Sequence, residues 1–516
     1  MVRKPGEMSG KKRFAFNVVM NWFAMAVGMV VPFFLTPTVV RHLGPTGYGV
    51  WILAVSTVAY LNLLDLGLRS AIIRFVSKAE AQRKIEDARS AIGAALWFRV
   101  LISAAVAVLS IVLAVVFPHF FKVPPDLQRA AQITVLVCSL GVAITLTSGV
   151  FGAVLAAIQR FDVLSTIGIL QVIARGVGVI LILRRGHGLT TLAYWEFSVI
   201  LFGGLATCGA ALKLFPACRV RFGRPDIATL KMMWSHSFTA FIILLAGNVI
   251  FSTDNVVVGA YLSVGLVAFY SIGGSLTMYS RQIVSALATT FTPLASGLDA
   301  SGKSDELRKL LIRGTQASLA LALPISLALC FRGKTFIGLW MGPRYSQVSG
   351  TVLQILLIGQ FFTVANVTAG NIMFAIGKHK AVAKCAVLEA TLNLSLSLIL
   401  AKTIGIYGVA WGTSITMLII HPVFWPVYVR KVLEVPIRTF LWEGWGKIIL
   451  CSVPYAIACA ITDRYWHPAS MLTFFAEILA ILPLYALGVV LVFRDEARGM
   501  VRRWRNSRLI GMQAAQ

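Results

Sequence analysis

Charge is what this sequence has least of. Only 13% of its 516 residues are Asp, Glu, Lys or Arg, and the acidic residues number 20 against 47 basic ones. Soluble domains carry about twice that charged fraction, so a water-soluble globular fold is excluded. Strand-length runs alternating apolar and polar residues are missing, which speaks against a membrane β-barrel. No stretch between the apolar runs exceeds about twenty residues, which leaves no room for a separately folded domain. The two longest loops on one side, "PHFFKVPPDLQR" and "RGKTFIGLWMGPRYSQ", hold no paired carboxylates and no nucleophile–base set, so an enzyme is not expected. The seven cysteines are scattered, with neither metal-ligand spacing nor a disulfide framework, and the seven histidines are equally dispersed. No small-residue cleavage site follows the first apolar run, so a removable signal is not expected.

What the sequence has is apolar length, with 58% hydrophobic residues. A helix of about 20 apolar residues crosses a bilayer with every backbone polar group satisfied internally. Fourteen runs qualify, from 14–40 and 50–73 through 447–462 and 470–493, and predict an all-α polytopic membrane protein. With the N-terminus placed in the cytoplasm, 33 Lys and Arg fall on the cytoplasmic side, 10 on the opposite side and four within the runs. That bias puts both termini in the cytoplasm. It also accounts for the formal net charge of +27, which suits anionic membrane lipids; no nucleic-acid motif accompanies it.

An internal repeat organises the runs. With Leu43 set on Leu262, Ser56 meets Ser275 and Tyr60 meets Tyr279, an offset of 219. "AAIQRFDVLSTIGILQVIAR" lies over "FAIGKHKAVAKCAVLEATLN" at an offset of 218, placing Gln171 on Glu389 and Arg175 on Asn393. The repeat unit is six spans, an even number, so both halves enter the membrane from the same side and are related about its normal. The chain then reads as a basic cytoplasmic N-terminus (1–13), a first lobe (14–215), a cytoplasmic linker (216–234), a second lobe (235–429), a cytoplasmic or interfacial connector (430–446), an appended span pair (447–493) and a basic cytoplasmic tail (494–516). The connector mixes basic residues with Phe440, Leu441, Trp442 and Trp445, a composition that suits a helix lying on the interface or a plain loop.

Ionisable residues inside spans are costly and face a bundle interior, a partner or a watery cavity. Asp65 and Arg69 stand four apart in the second span, a spacing that puts them on one helix face as a local pair or a gate. Arg99, Arg175 and Arg281 lie deeper with no acid one turn away. Each calls for an interhelical partner, with Asp254, Glu196 and Glu389 available, or for an anion in a cavity. Arg281 corresponds to Asn62 in the repeat, while Gln171 with Arg175, and Glu389 with Asn393, form matching polar faces. A chamber richer in arginine than in carboxylate suits phosphate oxygens, hence an amphiphilic phosphate. Cavity candidates are therefore Arg99, Arg175, Arg281, Asn62, Gln171 and Asn393; gate or charge-pair candidates are Asp65, Arg69, Asp254 and Glu389. Asp254 is equally placed to meet an arginine or a coupling cation.

The stretches "LGPTGYGVW", "LLDLGL", "AIQRFD" and "STDNVVVGAYLSVGLVAFYSI" resemble the Wzx-type polysaccharide and O-antigen flippases of the multidrug/oligosaccharidyl-lipid/polysaccharide exporter superfamily. The resemblance implies a MATE-like pair of six-helix lobes around a cavity, working by alternating access in the bacterial inner membrane. Its implied cargo is an oligosaccharide on undecaprenyl diphosphate. No cofactor or metal is implied; a coupling ion (H+ or Na+) and a polymerase or other assembly partner are left open. The appended pair is closer to the peptidoglycan lipid flippases. The competing reading is a multidrug or metabolite antiporter of the same fold; carriers of cations usually keep acids in a lobe cavity, and the run 14–40 has none.

Overall fold

The computed structural model describes residues 10–218 and 227–493. Residues 1–9 of the basic head, 219–226 of the linker and the whole tail from 494 lie outside the described residues. The chain forms helices α1 (Gly10–Ala59), α2 (Leu68–Ala81), α3 (Ile85–Phe120), α4 (Pro125–Ala157), α5 (Phe161–Arg184), α6 (Leu189–Leu214), α7 (Ile227–Tyr261) and α8 (Val264–Thr289). They are followed by α9 (Phe291–Ala300), α10 (Ser304–Met341), α11 (Pro343–Ala375), α12 (Lys380–Ile404), α13 (Ile406–Leu433), the single turn α14 (Ile437–Thr439), α15 (Lys447–Tyr465) and α16 (Met471–Val492).

Among the described residues, twelve segments are long and apolar enough to cross a membrane, two fewer than the fourteen expected. The difference has two sources. The first two expected spans are joined in one helical segment of 63 residues, Val19–Ala81. That length would reach about 95 Å if straight, and two breaks interrupt it. At Gly44 the backbone turns to φ 68°, a region open to glycine, and Pro45 restarts the helix with its ring pre-set for the first turn. The second break follows Asp65. The other source is α8, whose Ser271, Ser275, Thr277, Ser280, Arg281 and Gln282 lower its hydropathy below that of a plain span.

Two compact units share the chain. The first comprises Met1–Ser271 and Ala386–Val409, so it reaches beyond residue 215 to include α7 and most of α12. Here α3, α4 and α6 pack side by side and α1 lies along α5, with α7 against α1, α2 and α3. The core joins Leu68, Ile72 and Val76 to Ile92, Val150 and Val154. Lipid tails are as apolar as leucine, so such contacts depend on close approach and interhelical hydrogen bonds. Ser103 Oγ on α3 donates to the Ala143 carbonyl on α4 at 2.9 Å. A Cβ on Gly49 would fall 2.0 Å from the Val264 carbonyl oxygen, so the restarted half of α1 touches main chain at the α7–α8 turn.

The second unit, Ile272–Cys385 with Ala410–Gln516, centres on the α10–α11 pair. Leu319, Ala365, Trp425, Phe440, Trp445 and Tyr455 share its main core. The pair α15–α16 packs on α10: a Cβ on Gly488 would lie 2.0 Å from the Cys451 carbonyl oxygen, and Tyr485 donates to the Ala320 carbonyl at 3.1 Å. Gly49→Val should lower the thermal midpoint of the purified protein, with about 1–3 kcal/mol lost to overpacking. Unfolding followed in detergent by circular dichroism measures this; Gly28→Val, where a Cβ meets nothing within 4 Å, is the control.

Candidate functional site

The "LLDLGL" stretch does not continue a helix. Tyr60–Asp65 is a 3-10 turn, and Leu66 (φ 52°) and Gly67 (φ 73°) both adopt the left-handed conformation before α2 begins. The expected one-face pairing of Asp65 with Arg69 is therefore corrected: two left-handed residues lie between them and destroy the i,i+4 geometry. Arg69 and Asn62 are exposed. Asp65 instead accepts a hydrogen bond from Nη2 of Arg99 on α3. Arg99 is 1% exposed, and its ion pair is with Asp65, not with Asp254, Glu196 or Glu389.

Arg175 has the interhelical partner that its depth calls for. Its Nε and Nη2 donate to the two carboxylate oxygens of Glu196 on α6, at 2.6 and 2.7 Å. This two-pronged arrangement is the strong form of the arginine–carboxylate bond. Glycines allow the helices to close around it. Trp195 lies over Gly178 and donates to the Ala174 carbonyl at 3.1 Å, while Gln171 lies over Gly203 and donates to the Val199 carbonyl at 3.3 Å. Gln171 and Arg175 thus share one face of α5, and it meets α6. A cavity of ≈ 170 Å³ opens beside the pair. Leu35, Tyr48 and Trp51 of α1 line it together with Val179, Arg175 and Glu196.

A second polar cluster ties α7 to its neighbours. Asp254 is 6% exposed and accepts from the Tyr270 hydroxyl at 2.5 Å. Asn255 Nδ2 donates to Ser56 Oγ at 3.2 Å, and Thr253 bonds Tyr60, so polar residues of the restarted α1 and of the 3-10 turn after it are matched by those of α7. Glu389 and Asn393 are buried on α12. Arg281, on the part of α8 that belongs to the second unit, is half-buried.

The most completely partnered arginine was not among the candidates. Arg332 on α10 is 0% exposed; Nη1 donates to the Thr462 carbonyl at 3.0 Å and to Asp463 at 3.2 Å. Its Nη2 donates to the Trp466 carbonyl at 2.9 Å and to Glu477 at 2.9 Å. The ninth apolar run ends at "LCF", which puts Arg332 in a loop, whereas α10 continues to Met341. The legible signal was Glu477, an acid in the apolar run of α16 that needs a cation from elsewhere.

With these helices and pairs in place, the comparisons with known proteins become informative. The family model described as "Polysaccharide biosynthesis protein" matches residues 38–350. The chain belongs to the polysaccharide biosynthesis protein family. A relative in this respect is a candidate O-antigen transporter of Shigella flexneri, 22% identical over 422 residues, spanning 78% of this chain and 94% of its own. Among solved structures, the lipid II flippase MurJ in an inward closed conformation has a TM-score of 0.74 at 16% identity, covering 94% of this chain and 100% of its own. An inward-facing MATE multidrug transporter of the MOP superfamily has a TM-score of 0.70 at 15% identity, covering 81% of this chain and 98% of its own. This polysaccharide biosynthesis family member therefore has a MATE/MurJ-type helical membrane fold.

Removing one partner of a buried pair strands the other charge, at about 3–5 kcal/mol. Arg332→Met, which strands buried Glu477, should therefore lower the detergent unfolding midpoint markedly. The double variant Arg332→Met with Glu477→Leu should regain much of the loss, as a thermal-shift series over single and double variants would reveal.

Proposed function

We propose that the protein is a transporter that moves undecaprenyl-diphosphate-linked oligosaccharide units from the cytoplasmic to the periplasmic leaflet of a bacterial inner membrane, supplying surface polysaccharide. The family match over residues 38–350 carries this reading. The name of the Shigella relative and the MurJ-like fold support it. The 33-to-10 distribution of Lys and Arg supports cytoplasmic termini. The two lobes, 14–215 and 235–429, rest on the sequence repeat, and alternating access between them follows from a parallel repeat.

In this reading Arg175 is a cargo contact. Glu196 engages its Nε and Nη2, and the side chain, about a third exposed, lines the adjoining cavity. A diphosphate oxygen there would gain a charge-assisted bond while Glu196 holds the fork in place. Arg281, Gln171, Asn62 and Asn393 are further candidate contacts. Asp65 with Arg99 is a charge pair near the end of the second expected span, and Arg69, Asp254 and Glu389 complete the proposed set.

In cells lacking the protein, complete lipid-linked glycan should accumulate and surface polymer should fall, as lipid extraction and surface-polysaccharide assay would read out. Arg175→Lys should restore transport only partly, because a lysine cannot hold Glu196 through two parallel bonds. Normal surface polymer with altered drug sensitivity would overturn the proposal in favour of an antiporter.

A further inference from the structure

The connector between α13 and α15 carries an exposed face of its own. After α14 the chain makes a π turn, Phe440–Gly446, which sends side chains two ways. Phe440 and Trp445 enter the core of the second unit. Ile437, Arg438, Leu441 and Trp442 line an open groove of ≈ 740 Å³, with Arg438 and Trp442 exposed and Leu441 also resting on the core. Trp442 is 55% exposed on this face, and its ring lies against Gly446, where a Cβ would approach it to 2.7 Å.

Two observations place this face at the headgroup level. First, α14, the π turn and α15 form one continuous helical segment, Ile437–Tyr465, of 29 residues, long and apolar enough to cross a membrane. Exposed Trp442 stands near one end of it and exposed Tyr465 and Trp466 at the other, the pattern of an aromatic belt at each interface. Second, the charges near the groove are sorted. Glu434 bonds Arg308 at 2.5 Å and Glu443 bonds Lys447 at 2.5 Å, so both acids of the connector are neutralised within the protein. The exposed cations Arg430, Lys431 and Arg438 enter no ion pair among the described residues. What faces outward is apolar, aromatic and cationic.

We propose that this groove is a binding site for the headgroup of an anionic phospholipid of the surrounding leaflet. The Arg438 guanidinium grips the phosphate, Trp442 sits at the level of the acyl esters, and Ile437 and Leu441 meet the upper chains. The occupant is bulk lipid rather than cargo: the groove is open, and its four lining residues come from one short stretch of the surface.

The test uses the full-length protein in nanodiscs of phosphatidylcholine mixed with phosphatidylglycerol, with a photoactivatable phosphatidylglycerol as probe and adducts mapped by peptide mass spectrometry. Adducts should concentrate on residues 437–442 and fall about five-fold in Arg438→Gln, the factor expected for one interfacial cation. Arg438→Lys should keep most of the labelling, and Arg464→Gln, at the other end of α15, should leave it unchanged. Three results would overturn the site: equal labelling by a photoactivatable phosphatidylcholine, unchanged labelling in Arg438→Gln, or stoichiometric displacement of the probe by undecaprenyl diphosphate, which would assign the groove to cargo. None depends on transport, so failure of the flippase reading would leave the result interpretable.

Discussion

An ionised side chain in hydrocarbon must be partnered, and much of this structure follows from meeting that demand. Three buried or half-buried arginines meet it in three ways. Arg99 takes an acid from a broken stretch just upstream, Arg175 takes one from the next helix, and Arg332 takes two acids and two carbonyl oxygens from the C-terminal hairpin. Each pair fixes the neighbours of its helix. Buried ion pairs gain little net stability over apolar packing of the same shape, but a wrong neighbour would leave a charge stranded. The arginines thus select one arrangement of helices from several that apolar packing alone would tolerate.

Packing supplies the closeness these pairs need. Gly178 and Gly203 let a tryptophan and a glutamine of adjoining helices reach main-chain carbonyls beside the Arg175–Glu196 pair. The ≈ 170 Å³ cavity next to it is lined mostly by apolar residues of α1, so one charged pair faces a space that water alone would fill poorly.

Much of the fold was legible in the sequence because its signals are long. Apolar runs of span length and the "LGPTGYGVW" break at Gly44 each declare themselves locally. The demand for an interhelical partner at Arg175 was legible too, and Glu196 was among the acids available. What escaped was decided by single dihedral angles or distant contacts. Leu66, an ordinary residue, takes a left-handed conformation beside Gly67, and this turns Asp65 toward Arg99 instead of Arg69. Hydropathy falls at Arg332, yet the helix continues, because its charge is met by residues far along the chain.

The separation of Arg332 from its partners has a consequence for biogenesis. Asp65 precedes Arg99 by 34 residues, so that pair is complete soon after the third expected span emerges. Arg332 must wait 130 residues for the Thr462 carbonyl and 145 for Glu477. Until the end of α15 is made, α10 carries a cation with none of these partners in place. The nascent chain must keep this end of α10 near water or in the shelter of the insertion machinery until α15 arrives. The C-terminal hairpin therefore completes the pairing in two steps: Asp463 and the Thr462 and Trp466 carbonyls arrive with the end of α15, and Glu477 follows with α16.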